Sequence, residues 1–196
     1  RAVDFDVLAR LRGADLSLYR SLQACRDYFL LSFYLCGIPF VDLAFLRRAD
    51  YVRGTISYRR RKTNTQIVTS VTPLAAEILE RYGSKDELSF YLMPILKKKD
   101  GNDWKAYQSA LRLYNKNLKS LSALLKLDVP LTSYVPRHTW ATLARQVGVP
   151  VTYISSILGH SSEEMTHIYL DSIDGHILAE ANRRVMDAFG KYMKVK

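Results

Sequence analysis

Apolar residues recur at helical spacing in the first long segment of the chain. This segment spans residues 17–35, and its regularly spaced apolar positions are Leu18, Leu22, Cys25, Phe29 and Phe33. The period is that of one face of an α-helix, so a helix is predicted there, with Asp15 or Ser17 as its N-terminal cap. Residues 40–46 predict a second, short helix.

The segments that follow change from strand-like to helical patterning. Residues 52–71 hold two β-prone runs around a polar turn at residues 62–65, which predicts a β-hairpin. Helices are predicted over residues 73–82, over about 104–125, and from about 174 or 175 to near Gly190. The sequence shows no internal repeat and no linker. The predicted fold is therefore one α+β domain, mostly helical, with a small antiparallel sheet.

Three residues with distinctive chemistry follow one another in the C-terminal part of the chain. Arg137 begins one predicted helical stretch, His160 follows the Ile157-Leu158-Gly159 end of the next, and Tyr169 comes nine residues later. Cutting a phosphodiester without a metal needs a nucleophile, cations on the non-bridging oxygens and an acid for the leaving oxygen. Tyrosine can be the nucleophile, the planar fork of arginine matches a phosphate, and histidine can donate a hydrogen bond or move a proton.

The order and the surrounding residues resemble the C-terminal signature of the tyrosine recombinases, the phage-integrase family. In that signature, Arg-His-Thr and a small-residue helix precede Leu-Gly-His-Ser, and a tyrosine follows a short helix. The matching residues are Arg137-His138-Thr139, Leu158-Gly159-His160-Ser161 and Tyr169. The resemblance covers nearly the whole chain and points to integrases of bacterial mobile elements. It implies the tyrosine-recombinase catalytic-domain fold over residues 1–196, with the N-terminal core-binding domain of such proteins expected to be absent.

The resemblance also implies an activity, which is site-specific recombination or integration of DNA. Tyr169 would attack DNA, form a 3′-phosphotyrosine and free a 5′-hydroxyl, while Arg137 and His160 hold the scissile phosphate. The implied partners are double-stranded DNA, other copies of the chain in a synaptic tetramer, and accessory DNA-bending proteins. No metal and no other cofactor is expected.

The predicted hairpin turn adds further candidates. The family places a mobile lysine in this turn as the general acid for the 5′-oxygen, and Lys62, followed by Thr63, is the matching residue. The residues before it, Arg59, Arg60 and Arg61, are then predicted to contact the DNA backbone without regard to sequence.

Two positions depart from the family pattern. Tyr134 stands where the usual His-x-x-Arg motif has its histidine, and its phenol can donate a hydrogen bond to phosphate. Pro39 stands where a Gly-x-Arg-x-x-Glu motif has the first catalytic arginine, in the segment Gly37-Ile38-Pro39-Phe40-Val41-Asp42. Losing one such arginine costs about 10²-fold or more in rate. Weak or partner-dependent catalysis is therefore predicted, unless the fold brings Arg47 or Arg48 to this place.

Composition agrees with a nucleic-acid partner. Lys and Arg total 29 against 19 Asp and Glu, and the resulting net charge of +10 favours a polyanion. The two cysteines, Cys25 and Cys36, would be too far apart on one continuous helix to form a disulfide, so a reducing, bacterial cytoplasmic location is expected. Cys36 lies near the place of the missing arginine and is interpreted as a packing residue. No apolar run is long enough to span a membrane, and no membrane partner is expected.

Three other functions share part of this pattern. A degenerate recombinase would bind DNA without cutting it, in agreement with the missing arginine. Residues 137–158 alone imitate a helix-turn-helix, although the second helix is largely apolar where polar base contacts are needed. A type IB topoisomerase uses similar chemistry, but the Leu-Gly-His-Ser segment fits it less well. The C-terminal helix, over residues 177–190, is predicted either to pack on its own domain or to dock on a neighbouring copy.

Overall fold

A computed structural model describes residues 2–83, 89–96, 102–159 and 175–195. These residues form eight α-helices, one 3₁₀ turn and three strands. In chain order the elements are α1 (Phe5–Gly13), α2 (Arg20–Tyr34), α3 (Phe40–Ala44), the 3₁₀ turn (Arg48–Asp50), β1 (Tyr51–Val52), β2 (Thr55–Arg59), β3 (Gln66–Ser70), α4 (Pro73–Tyr82), α5 (Asp103–Leu124), α6 (Val135–Gln146), α7 (Val151–Ile157) and α8 (Gly175–Val195). The prediction of a mostly helical α+β domain is confirmed.

The predicted hairpin forms two strands of a three-stranded antiparallel sheet with the order β1-β2-β3. Strands β2 and β3 pair along their full length. Every second side chain points into the domain, namely Ile56 and Tyr58 of β2 and Ile67 and Thr69 of β3. Successive side chains of a strand point to opposite faces, so this alternation also sets the direction of the residues that follow β2.

The predicted apolar face of helix α2 is confirmed. Its residues Phe29, Leu31 and Phe33 lie in the core and are fully buried. Its predicted start was wrong. The residue at the N-cap is Tyr19, which makes no side-chain capping bond. Leu18 was expected on the apolar face, but it precedes the helix and is 88% exposed.

Helix α1 was not predicted from the sequence. Asp4 caps it by accepting a hydrogen bond from the backbone N–H of Val7 at 2.9 Å, and Leu8 and Leu11 are fully buried. The buried guanidinium of Arg26 on α2 donates to carbonyl oxygens at the end of α1. This contact attaches α1 to α2. The signals that indicate α1 are an aspartate cap and two leucines at a spacing of three.

The middle helices agree with their predicted bounds. Thr72 caps α4 by accepting from the N–H of Ala75, and Pro73 occupies its first turn. Helix α5 covers Asp103–Leu124, and Tyr107, Tyr114, Leu118 and Leu121 are buried on one of its sides. Between these two helices the structure describes residues 89–96, where Tyr91 forms an isolated antiparallel β-bridge with Arg47.

The C-terminal helix α8 packs on its own domain. Ala181, Val185 and Phe189 are buried, and the helix contacts α6, β3 and α1. Asn182 accepts a hydrogen bond from Trp140 Nε1 on α6 and donates one to the carbonyl oxygen of Tyr34, both at 2.9 Å. The predicted end near Gly190 was wrong, because the helix continues to Val195.

Both cysteines are buried free thiols, so the prediction that they form no disulfide is confirmed. Burial raises the pKa of the Cys36 thiol to about 12, and its Sγ lies 3.4 Å from Oγ1 of Thr69. Cys36 is therefore a packing residue with an unreactive thiol. In the part of the chain that is described, no helix combines the length and apolar character that a membrane crossing requires.

Candidate active site

Arg137 lies in the first turn of α6 and is only 4% exposed. Its Nη1 donates to the carbonyl oxygen of Gly37 at 3.2 Å, and its Nη2 donates to the carbonyl oxygen of Leu158. The first acceptor follows α2 and the second ends α7. One guanidinium thus joins two chain segments that are far apart in sequence.

Gly37 is required by the close approach of Arg137. A Cβ atom at this position would lie 2.8 Å from the Cα of Arg137, closer than two such atoms can approach, and the φ angle is +72°. Both conditions favour glycine, because it has no Cβ and adopts positive φ without steric cost. The preceding residue, Cys36, also has a positive φ of 58°. The turn after α2 is therefore shaped to receive Arg137.

Arg60 is buried beside Arg137. It follows β2, is 6% exposed, and turns inward in step with Ile56 and Tyr58. Its Nη1 donates to the carbonyl oxygens of Leu158 at 2.6 Å and of Gly159 at 2.8 Å. Arg60 and Arg137 thus share Leu158 as an acceptor, and we refer to these two residues as the arginine pair.

The three arginines before Lys62 were predicted to have the same role, but they differ in burial. Arg59 and Arg61 are exposed, whereas Arg60 is buried. Arg59 donates to the carbonyl oxygen of Asn64 at 3.2 Å. The guanidinium carbon of Arg61 lies 3.9 Å above the ring of Phe45, a cation–π contact. The expected role of Arg60 as a surface contact to the DNA backbone does not fit its buried position.

Gly159 is the glycine of the Leu-Gly-His segment, and it packs against Arg60. Its φ angle is +60°, and a Cβ there would lie 3.1 Å from Cδ of Arg60 and 3.2 Å from Cδ1 of Ile67. Each member of the arginine pair is therefore in contact with a glycine of positive φ.

Asp42 is the acidic residue of this region, and it is 3% exposed. Its Oδ1 accepts a hydrogen bond from the backbone N–H of Arg61 at 3.0 Å. Its Oδ2 lies 4.0 Å from Nε of Arg60, and neither of these two buried atoms has a hydrogen-bond partner among the described residues. Burial raises the pKa of Asp42, while the Arg61 N–H and the nearby arginines oppose the rise.

The surroundings of Arg137 disfavour its charged form. Burial and the charge of Arg60 lower the pKa of Arg137 to about 10, which still leaves it protonated at neutral pH. Burial raises the pKa of the neighbouring Tyr58 phenol well above its usual range, so that group remains neutral. The side chains of Arg137, Arg60 and Asp42 are thus buried close together.

The hairpin turn, residues 60–65, carries Lys62 at the surface, two residues after Arg60 in sequence. The N–H of Arg60 donates to the carbonyl oxygen of Thr65 at 2.9 Å, and the N–H of Asn64 donates back to that of Arg60 at 2.7 Å. Asn64 has a φ of +56°, a conformation that asparagine tolerates better than most residues. Lys62 is exposed within this closed turn.

Comparison with known proteins identifies the family. Residues 9–176 match the phage integrase family. The chain belongs to that family. It is similar to a tyrosine recombinase of Agathobacter rectalis, with 39% identity over 165 residues, and to one of Pseudothermotoga lettingae, with 29% identity over 161 residues. These matches cover 81% and 79% of this chain but 51% and 52% of the relatives, so the chain spans about half of their length.

Other residues expected in the site of this integrase-family chain are placed differently. Tyr134 is 52% exposed at the start of α6, where its ring meets that of His138 edge-on at 4.5 Å. Arg47 was one candidate for the first catalytic arginine that the family motif predicts, but its guanidinium is bound by Asp50, with Nε to Oδ1 at 3.0 Å. Arg48 lines a separate cavity with Ala76 and Glu80.

His160 and Tyr169 lie outside the described residues. Their predicted roles on the phosphate and as the nucleophile therefore stay predictions. The described chain reaches Gly159, whose carbonyl oxygen accepts from Arg60, and His160 is the next residue in sequence.

Proposed function

We propose that the chain is the catalytic part of a site-specific DNA recombinase or integrase that cuts and rejoins DNA through a 3′-phosphotyrosine. The observation that supports this best is Arg137, a charged guanidinium held rigidly in the family's Arg-His-Thr segment next to the Leu-Gly-His segment. Family membership and the net charge of +10 add to this support.

In the proposed reaction, the phenolic oxygen of Tyr169 attacks the scissile phosphorus. The P–O5′ bond breaks as the Tyr–O–P bond forms, so the phosphate ester is retained and the step is reversible. Lys62 gives its ammonium proton to the departing 5′-oxygen, and the phenol proton leaves to His160 or to water. Arg137 stabilises the charge that builds up on the non-bridging oxygens.

The remaining residues have supporting roles. Tyr134 donates a hydrogen bond to the phosphate from its exposed position at the start of α6. Arg59 and Arg61 contact the DNA backbone from the exposed face of the hairpin turn. Double-stranded DNA is the substrate, and strand exchange takes place in a tetramer of the chain on two duplexes, with accessory DNA-bending proteins as further partners.

A covalent-capture experiment tests this proposal. A random-sequence library of duplexes, each with a nick that lets the short 5′-hydroxyl fragment diffuse away, is incubated with the chain. Duplexes that stay attached in denaturing detergent are then selected. We expect the unaltered chain and Tyr153→Phe to form the complex, and Tyr169→Phe to form none. A complex that persists in Tyr169→Phe would exclude this tyrosine as the nucleophile.

A degenerate recombinase that only binds DNA is a second candidate, because Pro39 stands in the place of the first catalytic arginine. It predicts sequence-selective binding and no covalent complex with any library duplex. A helix-turn-helix reader finds less support. In α7, the residues Ile154 and Ile157 are buried, and the exposed residues are Val151 and Thr152. A type IB topoisomerase would relax supercoiled DNA as an isolated chain, an activity that recombinases show only to some extent.

A further inference from the structure

The segment that should hold the first catalytic arginine has no cation, yet it contacts the site. Gly37 accepts a hydrogen bond from Arg137, and the next carbonyl, that of Ile38, accepts one from Oγ of Ser32 at 2.6 Å. The turn is thus fixed against Arg137 on one side and α2 on the other. Pro39 follows directly, and its side chain can neither donate a hydrogen bond nor carry charge.

Another arginine occupies this neighbourhood. Arg60 and Arg137 both donate to the carbonyl oxygen of Leu158, so their donor nitrogens lie within twice a hydrogen-bond length of each other, about 6 Å. Two guanidinium groups at this separation can reach different non-bridging oxygens of one phosphate. Arg60 belongs to the hairpin, whereas the family motif places the other phosphate-binding arginine in the segment after α2.

One donor of Arg60 has no hydrogen-bond partner among the described residues. The side chain is 6% exposed, and the carboxyl group of Asp42 lies 4.0 Å from its Nε, too far for a hydrogen bond. Within the same residues, the buried Nε–H has no other acceptor. A buried cation with an unused donor is costly, and an arriving anion removes that cost. The arginine pair is therefore suited to a phosphodiester.

We propose that Arg60 is the second phosphate-binding arginine of this site and that it replaces the arginine missing at Pro39. This inference rests on the proposed function, because it assigns Arg60 to the same scissile phosphate that Tyr169 attacks. Arg60 binds a non-bridging oxygen through its Nε–H, which has no acceptor among the described residues. The carboxyl group of Asp42 lies 4.0 Å from that Nε and accepts the backbone N–H of Arg61, and Lys62 follows Arg60 by two residues in the same turn.

The hairpin turn carries both the proposed phosphate-binding arginine and the proposed acid. The same six-residue turn carries the buried cation at its start and the exposed acid near its middle. Arg60 is bound to the carbonyl oxygens of Leu158 and Gly159 at the end of α7, so the start of the turn is fixed there. In a site with its first arginine after α2, the cation and the acid would come from separate elements.

The test uses the duplex captured by the unaltered chain and measures single-turnover formation of the covalent complex at saturating DNA. We expect Arg60→Gln to lower the rate by about 10²-fold or more, and Arg60→Lys to lower it less, because lysine keeps the charge but lacks the planar fork. Arg53→Gln is the control for loss of one positive charge. It alters an exposed residue in the β1–β2 turn and should leave the rate unchanged.

A second substrate separates a role on the phosphate from a role in the fold. A methylphosphonate at the mapped cleavage point replaces one non-bridging oxygen by a methyl group and removes the negative charge there. On this neutral substrate a phosphate-binding arginine has little left to stabilise. We expect the rate ratio of the unaltered chain to Arg60→Gln to fall from about 10² to below about ten. A purely structural role of Arg60 would give the same ratio on both substrates.

The outcomes identify which proposal fails. If the unaltered chain forms the covalent complex while Arg60→Gln equals the Arg53→Gln control, the assignment of Arg60 is wrong and the proposed function stands. An equal loss on both substrates, with a lowered melting temperature, also overturns the assignment. If the unaltered chain forms no covalent complex with any library duplex, the proposed function fails and the role of Arg60 fails with it.

Discussion

Arg60 and Arg61 are adjacent in sequence, but they belong to two regions with different physical behaviour. The arginine pair is buried, bound to main-chain carbonyl oxygens and packed against glycines. The exposed face of the hairpin turn, formed by Arg59, Arg61 and Lys62, is open to solvent. A buried cation has a fixed direction and a strong field, whereas an exposed one is screened by salt. The buried Arg60 is thus suited to orienting a phosphate, and the exposed Arg61 to attracting DNA.

The largest effect is expected from disturbing the packing of the arginine pair at Gly37. We predict that Gly37→Ala lowers the free energy of unfolding by about 2–4 kcal/mol, from a positive φ and from overlap of the new Cβ with Arg137. Gly54→Ala is the matched control, since Gly54 has a φ of +77° and no atom lies within 4 Å of the place its new methyl group would take. It should cost about 1 kcal/mol. Urea unfolding measures both values, and equal losses would show that the approach of Arg137 is unimportant.

A smaller effect is expected from placing an arginine at position 39, where the family motif predicts one. Pro39 is partly exposed and precedes α3 with extended backbone angles that any residue can adopt. In the Arg60→Gln background, we predict that Pro39→Arg raises the rate of covalent complex formation by about tenfold, since a second guanidinium is restored. Pro39→Ala in the same background is the control. A gain as large in this control, or no gain with Pro39→Arg, would argue against a shared role of the two positions.

The exposed face should give the smallest effects, and they should appear in DNA affinity. We predict that Arg59→Gln and Arg61→Gln each weaken binding several-fold and reduce the slope of log affinity against log salt by about 0.9. Titrations of a labelled duplex at several salt concentrations measure this slope. At saturating DNA their rates should exceed that of Arg60→Gln by at least about tenfold. Rates as low as that of Arg60→Gln would remove the distinction between the two regions.

The sequence was sufficient to predict the parts of the molecule that depend on local patterns. The hairpin, α4, α5 and the position of Arg137 at a helix start followed from periodicity, turn residues and motif spacing. The inward direction of Arg60 could also be predicted, because Arg60 directly follows β2 and continues the alternation of the inward residues Ile56 and Tyr58. It was missed because arginine in a turn is usually exposed.

Contacts between segments that are distant in sequence could not be predicted from the sequence. The approach of Arg137 to Gly37 joins positions one hundred residues apart, and the bond from Arg60 to Leu158 spans 98. Periodicity describes each element alone and gives no information about which carbonyl oxygens will face a given guanidinium. The same reason explains why Arg47 and Arg48 were equally plausible candidates for the arginine that the family motif predicts.

The proposed chemistry depends on a tyrosine that becomes covalently joined to DNA at a phosphate bound by the arginine pair. Mass spectrometry of the captured complex, after digestion with nuclease and protease, identifies the residue that carries the nucleotide. We predict that the residual nucleotide is attached to the peptide containing Tyr169. A nucleotide attached to any other residue, or no nucleotide attached to the chain at all, would contradict the proposal.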